Sequence, residues 1–370
     1  MNQEIRELSG VTNKTRVSIL NGWGKLAKFM GRNWPTLAQE QRHPWIQDWY
    51  NKAPWVKAYY GHIGHQLSLL EGKRYLGAVI DRLKNPDATK CYGAQAEINV
   101  AWKLAKSRIP FEFVGPTQSR KSFDFRAKVD RKEIGIEVSV VGQSQKFKIQ
   151  MEIFQSISTA LMSASFQNAQ AAGRIHRMLS RTHAKHIIEM INQGIRKALK
   201  NNDAVIIEEE GAFEFCIAPS EKVNTLQEWK EKRGYNDTTQ LSAPNFDANI
   251  GNRLHAKIMQ KCKQIPSETA GVVYLEGVPI YIMEKEPKIM MQFKMADVEE
   301  AVYENSNLLF VVLNKFSLGW SRTSRFESRG MQLARISHYG LLEDVSMVVM
   351  NRYHQFPNLR HKKLINAFLR

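Results

Sequence analysis

One strand constrains this chain more than any other segment. Ile134-Gly135-Ile136-Glu137-Val138-Ser139-Val140 is apolar at almost every position, yet a carboxylate stands at its centre. Acidic residues are depleted in strands and are rarely buried without a partner, so Glu137 looks placed rather than tolerated. The flanking sequence sets the context. GAQAEINVAWKLAKSRI has a helix pattern stopped by Pro110, FEFV reads as a short strand and PTQSRK as a loop. SFDFRAKV and EIGIEVSVV then read as two strands joined by a turn at Asp130-Arg131-Lys132, in the order helix, strand, strand, strand.

Two further carboxylates fall in this segment. Glu97 shares a helix face with Ala94, Ala101, Leu104 and Ala105, which follow the ~100° step of an α-helix. A carboxylate on a buried stripe is costly unless a cation compensates it; the plainer reading is a surface Glu at the stripe's edge. Asp124 lies between Phe123 and Phe125 near the start of the second strand. Adjacent strands can bring Asp124 and Glu137 to one point, with the Val138 carbonyl beside them. That donor set suits a hard divalent cation, Mg²⁺ or Mn²⁺, which prefers oxygen ligands and keeps waters that a phosphate can replace. The alternative is two unrelated strand carboxylates paired with local Arg or Lys.

The stretch AEINVAWKLAKSRIPFEFVGPTQSRKSFDFRAKVDRKEIGIEVSVV resembles the PD-(D/E)XK nuclease superfamily, the restriction-endonuclease-like proteins. The resemblance implies an α/β fold, with a central mixed sheet flanked by helices, a helical N-terminal region and extra C-terminal strands. It implies Asp124 and Glu137 as metal ligands, with Glu97 supporting the same site. Ser139 stands where the family carries a lysine that helps position the attacking water, and a hydroxyl brings no positive charge. A substitute is available in NIGNRLHAKIMQKCKQI. At ~100° per residue Lys261 falls about 20° from Ile250, on the face of Leu254 and Ile258, while Lys257 and Gln264 lie just beside it. Several families of this superfamily carry a Lys and a Gln on the helix after the motif strands. Lys261, Gln264 and Ser139 itself are therefore candidate catalytic residues; the plainer reading has the two helix residues snorkelling from the edge of an ordinary amphipathic helix.

The rest of the chain supplies context. Residues 1–90 read as a helical N-terminal region, a candidate DNA-binding or interaction domain, with five tryptophans in its first 55 residues and a longer helical pattern from about Gly64 to Leu83. Residues 91–290 read as the nuclease-like core with an insertion at about 149–248, helical from 149 to 200 and then carrying the strands VIIEEE and AFEFCIA. Residues 291–370 read as an α/β extension with a basic tail. AGVVYLEG, VPIYIM, LLFVVLNKF and VSMVVMNRYH are strand candidates.

Net charge turns this reading toward a polyanion: 53 Lys+Arg oppose 36 Asp+Glu, a formal +17. Arg120, Lys121, Arg126 and Lys128 flank the proposed site and, with Lys257, are candidate contacts to a nucleic-acid backbone. DNA is the expected partner, with RNA as the competing polymer and a homo-oligomer or partner subunits left open. No GxxxxGK[ST] loop, HExxH or GxSxG is present, which removes the usual signatures of an ATPase, a zinc protease and an esterase. No apolar run reaches the roughly 18–20 residues of a membrane span. MNQEIRELSGVTNK lacks the apolar core of a secretory signal, and three scattered cysteines form no disulfide framework, so a cytoplasmic location is expected. The leading expectation is a Mg²⁺-dependent DNA endonuclease in a defence, mobile-element or repair setting. Its rival is a nucleic-acid-binding protein of the same fold that has lost catalysis with the motif lysine and serves as a subunit of a larger complex.

Overall fold

The structure is a computed structural model that describes residues 11–51, 53–115, 123–142, 145–235, 241–242, 250–278, 295–318, 324–328, 331–339, 341–359 and 361–370. The PTQSRK segment, most of VPIYIM, and the candidate contacts Arg120 and Lys121 lie outside the described residues. The chain is mixed α/β and divides into two compact units, Met1–Gly142 with Asn249–Arg370, and Gln143–Ala248.

The first unit opens with helices α1 (Asn13–Met30), α2 (Trp34–Glu40), α3 (Ile46–Trp49), α4 (Pro54–Leu70), α5 (Leu76–Leu83) and α6 (Ala88–Lys106). The helical pattern expected from about Gly64 to Leu83 is in fact two helices, broken where Gly72 and Tyr75 take positive φ. Helices α1 and α4 touch backbone to backbone, because a Cβ on Gly22 would meet the Gly61 carbonyl and one on Gly64 would meet that of Gly22. Trp23, Trp34, Trp45, Trp49 and Tyr60 interlock edge to face in the core. Lys57 threads between them, its Nζ donating to the Trp49 carbonyl at 2.9 Å above the Trp23 ring. These rings pack against each other as core.

Strands β1 (Phe111–Phe113), β2 (Phe125–Val129) and β3 (Lys132–Val140) follow. After the second unit come helix α10 (Ile250–Cys262), strand β8 (Ala270–Glu276), helix α11 (Met295–Tyr303), strands β9 (Leu308–Leu318), β10 (Ser324–Ser328), β11 (Met331–His338) and β12 (Leu342–Met350), and helix α12 (Lys362–Phe368). These strands form one eight-stranded sheet in the order β1-β2-β3-β8-β9-β12-β11-β10. It is parallel at β3-β8-β9 and antiparallel elsewhere. The strands within 308–350, part of the expected C-terminal α/β extension, continue the sheet of the motif strands. The reason is physical: β9 and β12 are buried on both faces over most of their length, as interior strands are.

Alternation divides the unit into layers. Ile134, Ile136, Val138, Val272 and Tyr274 face the core shared with α1, α4 and α6, whereas Val273, Leu275, Val311 and Leu313 face α10 and α11. Helix α6 is buried almost all round from Ala96 to Leu104 and carries three buried polar side chains, Glu97, Asn99 and Lys103. Two of them anchor it. Asn99 donates to the Tyr274 hydroxyl at 3.0 Å, and Lys103 Nζ meets Asp344 Oδ2 at 2.6 Å, with side chains 1% and 0% exposed. Asn314 and Ser346 complete that network around the carboxylate and amine.

The second unit has its own core and a four-stranded sheet, ordered β5-β6-β4-β7. Its strands are β4 (Ala169–Ile175), β5 (Val205–Glu209), β6 (Phe213–Pro219) and β7 (Leu241–Ser242), and its helices are α7 (Gln145–Met162), α8 (Arg181–Asn201) and α9 (Val223–Lys232). The expected helix across 149–200 is interrupted by β4. AQAAGRI has helix-forming composition, but burial against β6, with Gly173 admitting the Phe215 ring, overrides that propensity. Glu208 and Glu209, at the end of the hairpin, pair with Arg233, Arg177 and His183.

Lys103→Met strands the Asp344 carboxylate in the core without its counter-charge. It is expected to lower the stability of the first unit by about 3–5 kcal/mol, seen as a lower urea midpoint by tryptophan fluorescence. The double variant Lys103→Met/Asp344→Leu is expected to recover part of the loss, because no bare charge then stays buried.

Candidate active site

The antiparallel register of β2 and β3 pairs Phe125 with Ile136, so the next step outward sets Asp124 opposite Glu137. Asp124 sits in a bend just ahead of β2, where its backbone N–H still reaches the Ile136 carbonyl at 3.1 Å. Its Oδ2 accepts the Val138 N–H at 2.7 Å, and its carboxyl lies within hydrogen-bonding reach of Glu137. Val138 therefore meets Asp124 through its amide N–H. Two carboxyl groups this close in a partly buried place repel one another unless a proton or a cation lies between them.

Helix α10 provides the first cation. Leu254, Ile258 and Cys262 bury its inner face against the sheet, and this carries Lys261 onto Glu137. Lys261 Nζ lies 2.5 Å from Glu137 Oε1, with side chains 16% and 3% exposed, and also donates to Gln264 Oε1 at 3.1 Å. Gln264 stands just past the helix end and accepts a second hydrogen bond from the amine. Lys257, one turn back, is close enough for its amine to be depressed, by burial first and then by Lys261. Ser139 follows Glu137 on the same side of β3, half-buried.

Helix α6 provides the third carboxylate, and α5 an unexpected partner for it. Glu97 is buried, and both its oxygens are taken by Arg82, at 2.7 and 2.6 Å. It therefore faces a guanidinium, while the Asp124 charge acts on it and its own charge acts on Glu137. Nothing in the sequence singles out Arg82 among 53 cationic residues. The available signal is its position three residues after Val79 and one before Leu83, at the edge of the buried stripe of a short helix.

Desolvation dominates the electrostatics. Burial, then the Asp124 charge, raises the Glu97 carboxyl to about 7 against the pull of Arg82 and Lys261. Burial, again with Asp124, raises Glu137 to about 8 against Lys261. Asp124 is also raised by burial, opposed by the Val138 N–H and by Lys261. Among the described residues, three carboxyl groups thus share two contacting cations, and Glu137 Oε2 is buried with no hydrogen-bond partner. An orphaned carboxylate oxygen beside a second carboxyl is the environment a hard divalent cation satisfies, so Asp124 and Glu137 fit Mg²⁺ or Mn²⁺. Among the described residues no three His, Cys, Asp or Glu side chains form a ready-made metal cage, consistent with Glu97 being held by Arg82.

Of the proposed backbone contacts, Arg126 pairs with Glu112 and Glu133, and Lys128 is exposed on β2. All three cysteines are buried and free, and among the described residues no helix is long and apolar enough to cross a membrane. Compared with protein-family models, with curated proteins and with solved structures, the chain matches none.

The raised carboxyls have a stability consequence of definite sign. Between the ordinary Glu value near 4.5 and the folded values of about 7 and 8, the native state holds protons that the unfolded chain has released. Stability from these groups is therefore full below about 4.5 and is lost as pH rises through 7 to 8. Glu137→Gln, which cannot ionise, is expected to be more stable than wild type at pH 8, by up to a few kcal/mol. The gain is expected to vanish near pH 5 in urea titrations at the two pH values without divalent cation.

Proposed function

We propose that this protein is a Mg²⁺- or Mn²⁺-dependent endonuclease of the restriction-endonuclease-like kind, hydrolysing phosphodiester bonds in DNA. The observation that carries the reading is the meeting of Asp124, Glu137 and Lys261 around a buried, unpartnered carboxylate oxygen. Asp124 and Glu137 would hold the divalent cation, which when bound supplies an activated water and neutralises charge at the phosphoryl centre.

The residues of the chain do the remainder. Lys261 brings to the Glu137 carboxylate the positive charge that Ser139 lacks, from a helix instead of the strand. Its ammonium is held by two acceptors, Glu137 and the Gln264 carbonyl oxygen, so it would already be positioned near the developing negative charge. Lys257 adds field without contact. The net charge of +17 supports a polyanionic substrate. This supply of a cation by α10 favours a catalytic protein over the binding-only reading that the missing strand lysine suggested.

With Mg²⁺ or Mn²⁺ the full chain is expected to nick supercoiled plasmid. Asp124→Ala and Glu137→Ala should each abolish detectable nicking, and Lys261→Ala should lower the rate by about 10²–10³. Gel assays on matched DNA and RNA decide the polymer. Undiminished cutting by Asp124→Ala or Glu137→Ala rejects the assignment; salt-sensitive DNA binding without metal-dependent cleavage would support the binding-only protein.

A further inference from the structure

The Arg82–Glu97 pair is unequal. Glu97 is 8% exposed and Arg82 44%, so one partner is locked in the protein and the other borders solvent. Arg82 takes both Glu97 oxygens in a two-pronged contact, and its charge also reaches Asp124. A guanidinium cannot shed its charge by losing a proton. Arg82 can leave the carboxylate cluster only by moving away, and its half-exposed position gives it somewhere to go. The same planar fork that fits a carboxylate fits the two free oxygens of a phosphodiester.

We infer that Arg82 is the resting counter-ion of the carboxylate cluster, which yields Glu97 when a divalent cation occupies the site and then engages a phosphate of the substrate. Arg82 thus keeps three buried carboxyl groups tolerable before metal arrives. Its release links metal occupancy to substrate grip, so the protein binds DNA tightly only when it is loaded. The inference rests on the divalent-cation reading above and makes a claim of opposite sign to that of a brace. A brace that merely holds Glu97 in place for the metal strengthens metal binding, whereas a competing counter-ion weakens it.

Calorimetric titration of the full chain with Mn²⁺ alone, at fixed pH and salt, separates the two. Arg82→Gln is expected to bind Mn²⁺ at least about fivefold more tightly than wild type, and Arg82→Lys to fall between them. In parallel, a fluorescent DNA duplex is titrated in Ca²⁺ and in EDTA. Arg82→Gln is expected to lose about tenfold in affinity with Ca²⁺ and less than twofold in EDTA. Equal or weaker Mn²⁺ binding by the variant overturns the inference, as does an equal loss of DNA affinity in both buffers. Wild type that binds no Mn²⁺ overturns this inference and the metal reading together; wild type that binds Mn²⁺ while the variant gains nothing overturns this inference alone. Circular dichroism melts check the fold of both variants, and if Arg82→Gln does not fold, Arg82→Lys decides by the same criterion.

Discussion

Crowding of negative charge in a small desolvated volume governs this molecule. Asp124, Glu137 and Glu97 come from a bend, a strand and a helix, and each is raised above its ordinary range chiefly by burial. Such a cluster survives only if cations are delivered to it, and two helices are committed to that delivery. Helix α10 brings Lys261 to one side, and α5 brings Arg82 to the other. The flanking architecture follows from holding these pieces in place: α6 is fixed to β8 through Asn99 and to β12 through Lys103, which determines where Glu97 stands.

The apolar layers serve the same end. Ile136 and Val138 face the N-terminal helices while Glu137 meets Lys261 of α10, so the two-residue alternation of one strand turns its carboxylate away from the apolar core. On the other face of the same strand, the interlocked tryptophans and the glycine contact between α1 and α4 make a dense support for α6. The three polar side chains on α6 would destabilise an isolated helix face, and each is satisfied by a different partner from elsewhere in the chain.

Much of this was legible in the order of residues, and what escaped has definite causes. The strand alternation around Glu137, the angular position of Lys261 and the helix bearing Glu97 are local periodicities, and local periodicity survives into the fold. Arg82 was invisible because its role depends on packing α5 beside α6 across a turn, which no spacing rule encodes. Strand β4 was hidden because AQAAGRI carries helix-forming residues, and pairing with β6, with the Phe215 ring seated over Gly173, places it in the sheet. The place of the C-terminal strands in the sheet was not legible for a related reason. An apolar strand advertises burial but not its neighbours, and β9 found the free edge of β8.

The chain leaves the sheet at the end of β3 and returns for α10 only after a whole second unit, so Glu137 and Lys261 lie 124 residues apart in sequence. Pairing β3 with β8 therefore means closing a very long loop, a slow step for a flexible span. An inserted unit with its own sheet and core converts most of that span into a folded body, so that far fewer conformations must be surrendered when the two strands meet. The carboxylate cluster can therefore close only after the whole insert has been synthesised, because Lys261 follows it in the chain.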